Sequence, residues 1–445
     1  MADASTSGTL SPQLLRIAER AKREREGMFH SLAHLIDEAA LGRAFGRLRR
    51  EAAAGADGVT KDDYARDLEA NLRGLHGRMK AMTYRHQPIR RVFIPKDKGG
   101  RRPIGVACVE DKVVQGAIAE VLGAVYEQDF LSCSFGFRPG RSAHDALRAL
   151  DAAAHSGAMN WVVEADIVSF FDSLDRKRLV ELLRLRVADG SLLRLVGKCL
   201  NAGVLDGEEL SSPDTGTVQG SSLSPLLGNV YLHHALDLWF ERDVRPRLKG
   251  RAVLVRYADD FVVGCEREDD ARAVYEVLPK RMAAFGLTLH PDKTRLLDYR
   301  RPPKDGADGG SGRDGPGKGP STFDFLGFTL HWRRTRAGTW ANAFKTRAAR
   351  LRRAISSAYD WCRRFRHDPV PEQHASLASR LFGHYNYFGV AGNGRCLGEL
   401  WHHVRLAWRK WLSRRSEKAY LNWKRYAAIL DAYPLPRPRS MVRLW

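Results

Sequence analysis

Two adjacent aspartates, Asp259 and Asp260, interrupt the strand-like run "VLVRYADDFVVGC". Neighbouring side chains of a strand point to opposite faces, so these two carboxylates reach one site only if the chain turns around them. The pattern therefore predicts two apolar strands joined by a hairpin that carries both aspartates at its tip. A turn exposed to water explains such a pair as well as a metal site does, and the pair alone does not separate the two.

Asp166 ends a second buried, strand-like run, "VVEADIVSFFDSL". Taken alone, it fits a helix N-cap or a turn residue. If the two strands are neighbours in one antiparallel sheet, Asp166 meets the aspartate pair at one edge. Hard carboxylate oxygens on rigid strands suit Mg²⁺, and two such ions about 4 Å apart stabilise the attacking and leaving oxygens of an in-line phosphoryl transfer. We therefore expect a nucleotidyl-transfer site here.

The charge of the chain predicts a polyanionic partner. The net charge is +21, and the segment 331–445 holds 24 Lys and Arg against six Asp and Glu, together with eight of the ten Trp. Basic residues interleaved with aromatic residues suit a surface that neutralises phosphates and stacks on bases. A helical domain with an aromatic core and solvated arginines is the alternative. Individual aromatic residues fit that core, but the one-sided charge favours nucleic acid.

Length and composition set further bounds. A chain of 445 residues with 44% hydrophobic residues is expected to form two to three domains with a sizeable core. No apolar run has the length of a membrane span, and the first residues show no signal-peptide core. The six cysteines are scattered without the spacing of a zinc site or a disulfide framework, which suits a reducing cytoplasm.

Periodicity predicts an α+β body followed by a basic, mostly helical domain. The stretch "PIRRVFIPKDKGGRRPIGV" has the pattern of two short strands joined by a basic turn. The segment 301–320, rich in Gly and Pro, is expected to be a mobile surface loop. Helices are expected over most of 11–82 and over about 111–129, 142–154 and 224–240.

Sequence blocks that are weak one by one occur in a fixed order over about residues 40–440. They are "GADGV", "IPKDKGGRRPIG", "CSFGFRPGRSAHDAL", "VEADIVSFFDSL", "TVQGSSLSPLLGNVYLH", "RYADDFVV", "GLTLHPDKT", "FDFLGF" and "FGHYNYFGVAGN". In this order the chain resembles the reverse transcriptases encoded by bacterial group II introns. The resemblance implies an α+β right-hand polymerase whose helical thumb is also the maturase domain that binds intron RNA. The implied segments are a helical extension with the start of the fingers (1–82), fingers (83–158), palm (159–330) and thumb (331–445).

The resemblance also implies the roles of the acidic residues. Asp166, Asp259 and Asp260 match the family's metal-binding carboxylates, with the carbonyl of Ile167 as a further ligand, and two Mg²⁺ ions are the expected cofactor, with Mn²⁺ as an alternative. Lys293 in "HPDK" matches the lysine that protonates the leaving pyrophosphate, although a lone lysine is more often simply solvated.

Five positions match residues that contact the incoming nucleotide. Each of these residues also has an explanation without a ligand. The basic residues fit a solvated turn, the aromatic residue fits core packing next to a strand, and the Ser-rich loop fits a helix cap. The family instead places two cations on the triphosphate, with Arg101 as a substitute for Arg102. An aromatic ring excludes the 2′-hydroxyl and therefore selects deoxynucleotides. A Gln-Gly pair lies at the nascent base pair. These positions are Lys96, Arg102, Phe171, Gln219 and Gly220.

Five further positions match primer and template contacts. Tyr257 is expected beside the primer end, although packing in the strand explains it equally well. Arg138 and Arg141 precede a helix and are expected near template phosphates. Leu326 and Gly327 match the primer grip, where backbone contact is needed.

The function implied is an RNA-directed DNA polymerase that binds its host intron RNA and promotes splicing and retrohoming. Its expected partners are then intron RNA, an RNA template with a DNA primer, and dNTPs. No membrane association is expected, and the sequence leaves open whether the protein forms a homodimer. The chain ends without the family's HNH endonuclease extension, which predicts single-stranded or fork DNA targets. The resemblance also implies a bacterial, nucleoid-associated protein of the cytoplasm. A splicing cofactor with a vestigial polymerase and a domesticated enzyme of phage defence or CRISPR adaptation are the alternatives.

Overall fold

The computed structural model describes residues 10–95, 101–206, 209–211, 216, 220–303, 321–335, 337–416 and 420–442, with backbone alone for Pro95, Arg102 and 209–211. Most of the loop predicted at 301–320 lies outside the described residues. The α-helices are α1 (Pro12–Arg23), α2 (Glu38–Arg47), α3 (Lys61–Ala65), α4 (Leu68–Lys80), α5 (Val109–Tyr126), α6 (Ala143–Ser156), α7 (Phe170–Ser173), α8 (Arg176–Arg184), α9 (Gly190–Leu200), α10 (Ser224–Leu232), α11 (Glu268–Ala284), α12 (Ala348–Arg364), α13 (Val370–Phe388), α14 (Gly394–Leu412) and α15 (Trp423–Ala432).

Within the described residues, the strands form three sheets. The strands are β1 (Ile89–Pro95), β2 (Arg101–Val106), β3 (Trp161–Asp166), β4 (Val204–Asp206), β5 (Glu209–Ser211), β6 (Ala252–Tyr257), β7 (Asp260–Cys265), β8 (Arg295–Asp298), β9 (Phe323–Phe325), β10 (Phe328–Arg334) and β11 (Trp340–Thr346). The orders are β2-β1-β4-β5, β11-β10-β9 and β6-β7-β3-β8. In the first sheet β1 pairs antiparallel with β2 and parallel with β4. The mixture of helices and sheets confirms the α+β class.

Local sequence signals account for several element ends. Ser11 caps α1 by accepting a hydrogen bond from the Leu14 N–H, and proline occupies the first helical position, where its missing N–H costs nothing. The helix predicted from Ser224 to about Phe240 begins as expected, but α10 ends at Leu232 and the chain continues in wider π-helical turns, His233–Asp237 and Phe240–Val244. Periodicity alone does not distinguish these turns from an α-helix.

The chain divides into two compact units. The first consists of 1–142, 165–261 and 269–295, and the second of 143–164, 262–268 and 296–445. In the first unit, α5 is buried along most of its length, since ten of its apolar side chains belong to the core. The four-part division into extension, fingers, palm and thumb stays a prediction.

The second unit has a helical core of its own. Buried side chains of α12, α13, α14 and α15 form one cluster, in which the Trp408 indole N–H donates to Gln373 (2.9 Å). The expectation that individual tryptophans are core residues is confirmed for Trp408, whereas Trp423 is 52% exposed under the Arg409 guanidinium. The six cysteines are free thiols. Within the described ranges, no helix has both the length and the apolar composition to cross a bilayer.

Candidate active site

The aspartate pair lies at a hairpin tip, as the sequence predicts. Strands β6 and β7 are neighbours, and only Ala258 and Asp259 separate them. Ala258 has a φ of 57°, a left-handed conformation that costs a non-glycine residue about 1–2 kcal/mol. A strained residue persists only where its surroundings over-determine the backbone. The tip is therefore held in place by its neighbours and does not rest on turn propensity alone.

Strand β3 brings Asp166 to the same sheet edge. It lies next to β7, and the Asn160 N–H, just before β3, donates to the carbonyl of Cys265, the last residue of β7 (3.0 Å). The two six-residue strands therefore run in opposite directions. The last residue of β3, Asp166, comes beside the first residue of β7, Asp260, with Asp259 next along the chain. The predicted adjacency of the two acidic strand ends is thus present in the backbone.

The segment that follows α11, "GLTLHPDK" (286–293), completes this edge. The His290 N–H donates to the Asp166 carbonyl and the Val168 N–H to the Thr288 carbonyl, both at 2.8 Å. Carbonyls alternate in direction along an extended chain, so the Ile167 carbonyl points away from this pairing. A tight turn from His290 then returns Lys293, whose ammonium group forms an ion pair with the Asp166 carboxylate.

The carboxylates are close in the backbone but are not assembled as a ligand shell. Among the described residues, no three carboxylate, imidazole or thiol side chains are grouped so that they could hold a metal ion. Asp166, Asp259 and Asp260 are each partly exposed, and Asp166 faces Lys293. The donor chemistry fits Mg²⁺, because all the candidate ligands are hard oxygens. The strand ends that carry the three aspartates are thus adjacent, as predicted, but their side chains are not grouped as metal ligands.

A buried ion pair lies directly behind the acidic turn. The Arg256 side chain is fully buried and donates two hydrogen bonds to Asp237, at 2.7 and 2.6 Å. It also donates to Asn229 (2.9 Å), to the Ser134 hydroxyl (2.8 Å) and to the Ala258 carbonyl (3.1 Å). Burial by itself would lower the Arg256 pKa, but the Asp237 charge and its hydrogen bonds outweigh burial and raise it. The guanidinium is therefore a charged clamp on the turn.

The segment Cys133–Arg138 packs against the same turn. The Phe135 N–H donates to the Arg256 carbonyl, and the Arg256 N–H donates to the Cys133 carbonyl, both at 2.8 Å. Gly136 lies so close to the turn that an added Cβ would be 2.4 Å from the Ala258 nitrogen. Sequence reasoning missed this network. The available signal was an arginine inside the otherwise apolar strand of "VLVRYA".

The expected sugar-discriminating ring lies on a short helix after β3. Ser169 has a φ of 46° and precedes α7, where Phe170 is buried and Phe171 is half-buried. The two rings meet edge to face, with centroids 5.1 Å apart. A Cβ on Gly228 of α10 would be 3.0 Å from the Phe170 ring and 3.3 Å from the Phe171 ring. Gly228 thus leaves the space in which Phe171 is seated.

Two of the predicted triphosphate and base-pair contacts, Lys96 and Gln219, lie outside the described residues. Arg102 pairs through its backbone with Ile94 in the β1–β2 ladder, and Arg101 is exposed at the start of β2. Gly220 has a φ of 110°, and a Cβ there would be 2.4 Å from the Gly105 carbonyl oxygen. Close backbone approach is therefore required at Gly220, here against strand β2.

The two arginines expected near template phosphates differ in accessibility. Arg138 is 6% exposed and bonds to Glu127 (3.0 Å) and to the carbonyls of Leu131 and Ser134. These contacts use its guanidinium inside the protein, contrary to the expectation of a phosphate contact. Arg141 lies over the Phe135 ring at 5.1 Å and is more exposed. Arg141 also donates a hydrogen bond to the Ser132 carbonyl (2.9 Å), and its contact with a template phosphate stays a prediction.

In the second unit, Leu326 and Gly327 form the two-residue turn between β9 and β10. Their φ angles are 52° and 80°, the pattern of a type I′ hairpin. The Tyr387 hydroxyl donates to the Leu326 carbonyl (2.9 Å), and the Arg347 N–H donates to the Gly327 carbonyl (3.0 Å). Both carbonyls of this expected primer-contact turn are thus engaged by the protein.

Comparison with known proteins identifies the family. The model of the reverse transcriptase (RNA-dependent DNA polymerase) family matches residues 94–330. Protein YkfC of Escherichia coli (strain K12) is 31% identical over 54% of this chain and 71% of its own length. Group II intron-encoded protein LtrA of Lactococcus lactis subsp. cremoris is 30% identical, over 58% of this chain and 45% of its own.

A plant protein, the mitochondrial Nuclear intron maturase 2 of Arabidopsis thaliana, is 27% identical over 43% of this chain and 30% of its own. The chain therefore spans less than half the length of this relative and of the Lactococcus protein. The match at 94–330 includes both acidic strand ends and covers more than half of the chain. The chain belongs to the reverse transcriptase family, and its relatives include proteins named for group II introns.

Proposed function

We propose that the protein is an RNA-directed DNA polymerase that also binds a group II intron RNA and promotes its splicing and retrohoming. The observation that carries the polymerase is the meeting of Asp166 with the Asp259–Asp260 turn at one edge of the sheet, inside the family match. The relatives named for group II introns, together with the basic second unit, support the intron RNA as partner. In this proposal the protein is a right-hand polymerase whose helical thumb is 331–445.

The residues predicted from the sequence have separate roles in the proposed reaction, the attack of a primer 3′-hydroxyl on the α-phosphate of a dNTP. Mg²⁺ held by Asp166, Asp259, Asp260 and the Ile167 carbonyl would supply positive charge for the phosphate oxygens. Phe171, held in place by Phe170 and Gly228, excludes a ribose 2′-hydroxyl. The roles of the remaining positions are those expected for Lys96, Arg102, Gln219 and Gly220 on the nucleotide, for Tyr257, Arg141, Leu326 and Gly327 on primer and template, and for Lys293 as proton donor.

Substitution of the turn carboxylates tests the proposal. We expect Asp259→Ala and Asp260→Ala to abolish cDNA synthesis on an RNA template with an annealed DNA primer, because each removes a candidate oxygen ligand. RNA binding, measured by filter retention, is expected to survive, since neither residue adds positive charge.

Asp67→Ala is the matched control, because Asp67 is exposed and makes no capping hydrogen bond at the start of α4. It should leave both activities unchanged. Full primer extension by either turn variant would refute the assignment of the site.

A further inference from the structure

Phe137 is an exposed aromatic side chain on a strained stretch of backbone. It is 47% exposed, whereas phenylalanine is among the residues most often fully buried. Its φ of 57° is a conformation in which glycine would be relaxed and phenylalanine is strained. Exposure and strain together mean that neither burial nor backbone preference explains a phenylalanine at this position.

The position of the ring distinguishes it from other exposed side chains. The Phe137 ring lies 6.3 Å from the Tyr257 ring, centroid to centroid, and Tyr257 immediately precedes the acidic turn. Met82 has the same exposure, 47%, and nearly the same φ, 61°, but its sulfur and carbonyl are engaged by Arg194 and Lys198. Met82 thus has a local explanation, which Phe137 lacks.

The backbone on both sides of Phe137 is fixed. The Gly136 carbonyl accepts a hydrogen bond from Asn229 (2.8 Å), and Gly136 is in contact with Ala258. Arg138, on the other side, is buried and tied to Glu127. The ring is therefore presented on a rigid frame whose position relative to the acidic turn is set by backbone contacts.

We propose that Phe137 extends the Tyr257 ring into a two-ring platform that stacks against the 3′-terminal nucleotide of the primer. The inference rests on the proposed polymerase function. Aromatic rings stack on any base, since every base has a π face, so such a platform supports the primer end without sequence preference.

The experiment uses the full chain and a DNA primer annealed to an RNA template, with 2-aminopurine as the 3′-terminal primer base. Stacking quenches the fluorescence of this base, so binding can be followed without dNTPs. Wild-type protein is expected to quench the probe. Phe137→Gly relieves the strained φ and removes the ring, and should lose most of the quenching and bind the duplex about 5-fold or more weakly, the effect of removing one base–aromatic stack.

Matched variants separate the ring from the backbone. Phe137→Trp keeps an aromatic face and should retain quenching. Met82→Gly makes the same backbone change at equal exposure and should leave quenching and affinity unchanged, while both glycine variants keep or raise the melting temperature. Phe137→Asn, whose side chain also tolerates a positive φ, repeats the test if the glycine variant does not fold.

Two results would overturn the inference while the wild type still extends primers: unchanged quenching in Phe137→Gly, or a loss seen only when the probe is moved to the templating base. A wild-type protein that extends no primer would instead refute the proposed function and, with it, this inference.

Discussion

At the scale of single residues, the most informative contact is the ion pair between Lys293 and Asp166. The ammonium group neutralises the Asp166 carboxylate, which lies at the same sheet edge as Asp259 and Asp260. The same contact places Lys293 in competition with a divalent cation for Asp166. A residue proposed as a proton donor is thus also a counter-ion of a proposed metal ligand.

These two roles of Lys293 can be separated by charge. Lys293→Met should lower kcat by about 10²-fold or more, the usual contribution of a general acid, and should lower the Mg²⁺ concentration that gives half-maximal activity. Lys293→Arg keeps the charge but does not release a proton, so it should lower kcat without changing the Mg²⁺ requirement. Steady-state primer extension across a Mg²⁺ titration measures both quantities. A fully active Lys293→Arg enzyme would exclude the general-acid role.

At the scale of elements, the acidic hairpin depends on parts of the chain that are distant in sequence. Arg256 of β6 bonds to Asp237 in a π-helical turn, to Asn229 in α10 and to Ser134 in the loop after α5. A π-helical turn changes which residues share a face, and here its last residue, Asp237, supplies the buried carboxylate. The strained turn is held by this network.

Breaking the ion pair tests whether the network serves stability or position. Arg256→Met leaves Asp237 buried and unpaired, which should lower the free energy of unfolding by about 3–5 kcal/mol. The double variant Arg256→Met/Asp237→Leu removes both charges and should recover much of that stability. If the guanidinium positions the turn, kcat of the double variant stays low while KM for dNTP changes little.

Urea denaturation and steady-state primer extension on the same preparations provide the two measurements. Recovery of kcat together with stability in the double variant would show that the pair serves the core alone.

At the scale of the whole molecule, sequence patterns predicted more of the fold than of the site. The alternation in "RYADDFVV" and the two runs around the basic turn gave the hairpin and the β1–β2 pair, because register and turn chemistry are local. The network of Arg256 was not predictable, since the side chains that it contacts, those of Asp237, Asn229 and Ser134, lie 19 to 122 residues away. The burial of Arg138 was not predictable for a related reason: a basic residue before a helix looks solvated unless its partner, Glu127, is known.

The charge of the whole chain carries its own prediction. With a net charge of +21, RNA binding should be driven largely by release of counter-ions. Raising KCl from about 50 to about 200 mM should weaken RNA binding by roughly 10³-fold if six or more phosphates are contacted. Filter binding along a KCl series measures the slope, and sucrose at matched osmolality should have no effect. A slope near zero would contradict a phosphate-dominated interface.

The contact between Gly136 and Ala258 has a consequence for anyone who redesigns such enzymes. A methyl group at position 136 would collide with main-chain atoms, which cannot swing aside as a flexible side chain can. The two segments are thus in fixed contact, so a change in the backbone of one requires a matching change in the other. A chimera that transfers the acidic hairpin to another scaffold must also transfer residues 133–138. Without them, the transferred hairpin would lack the segment that fixes its backbone.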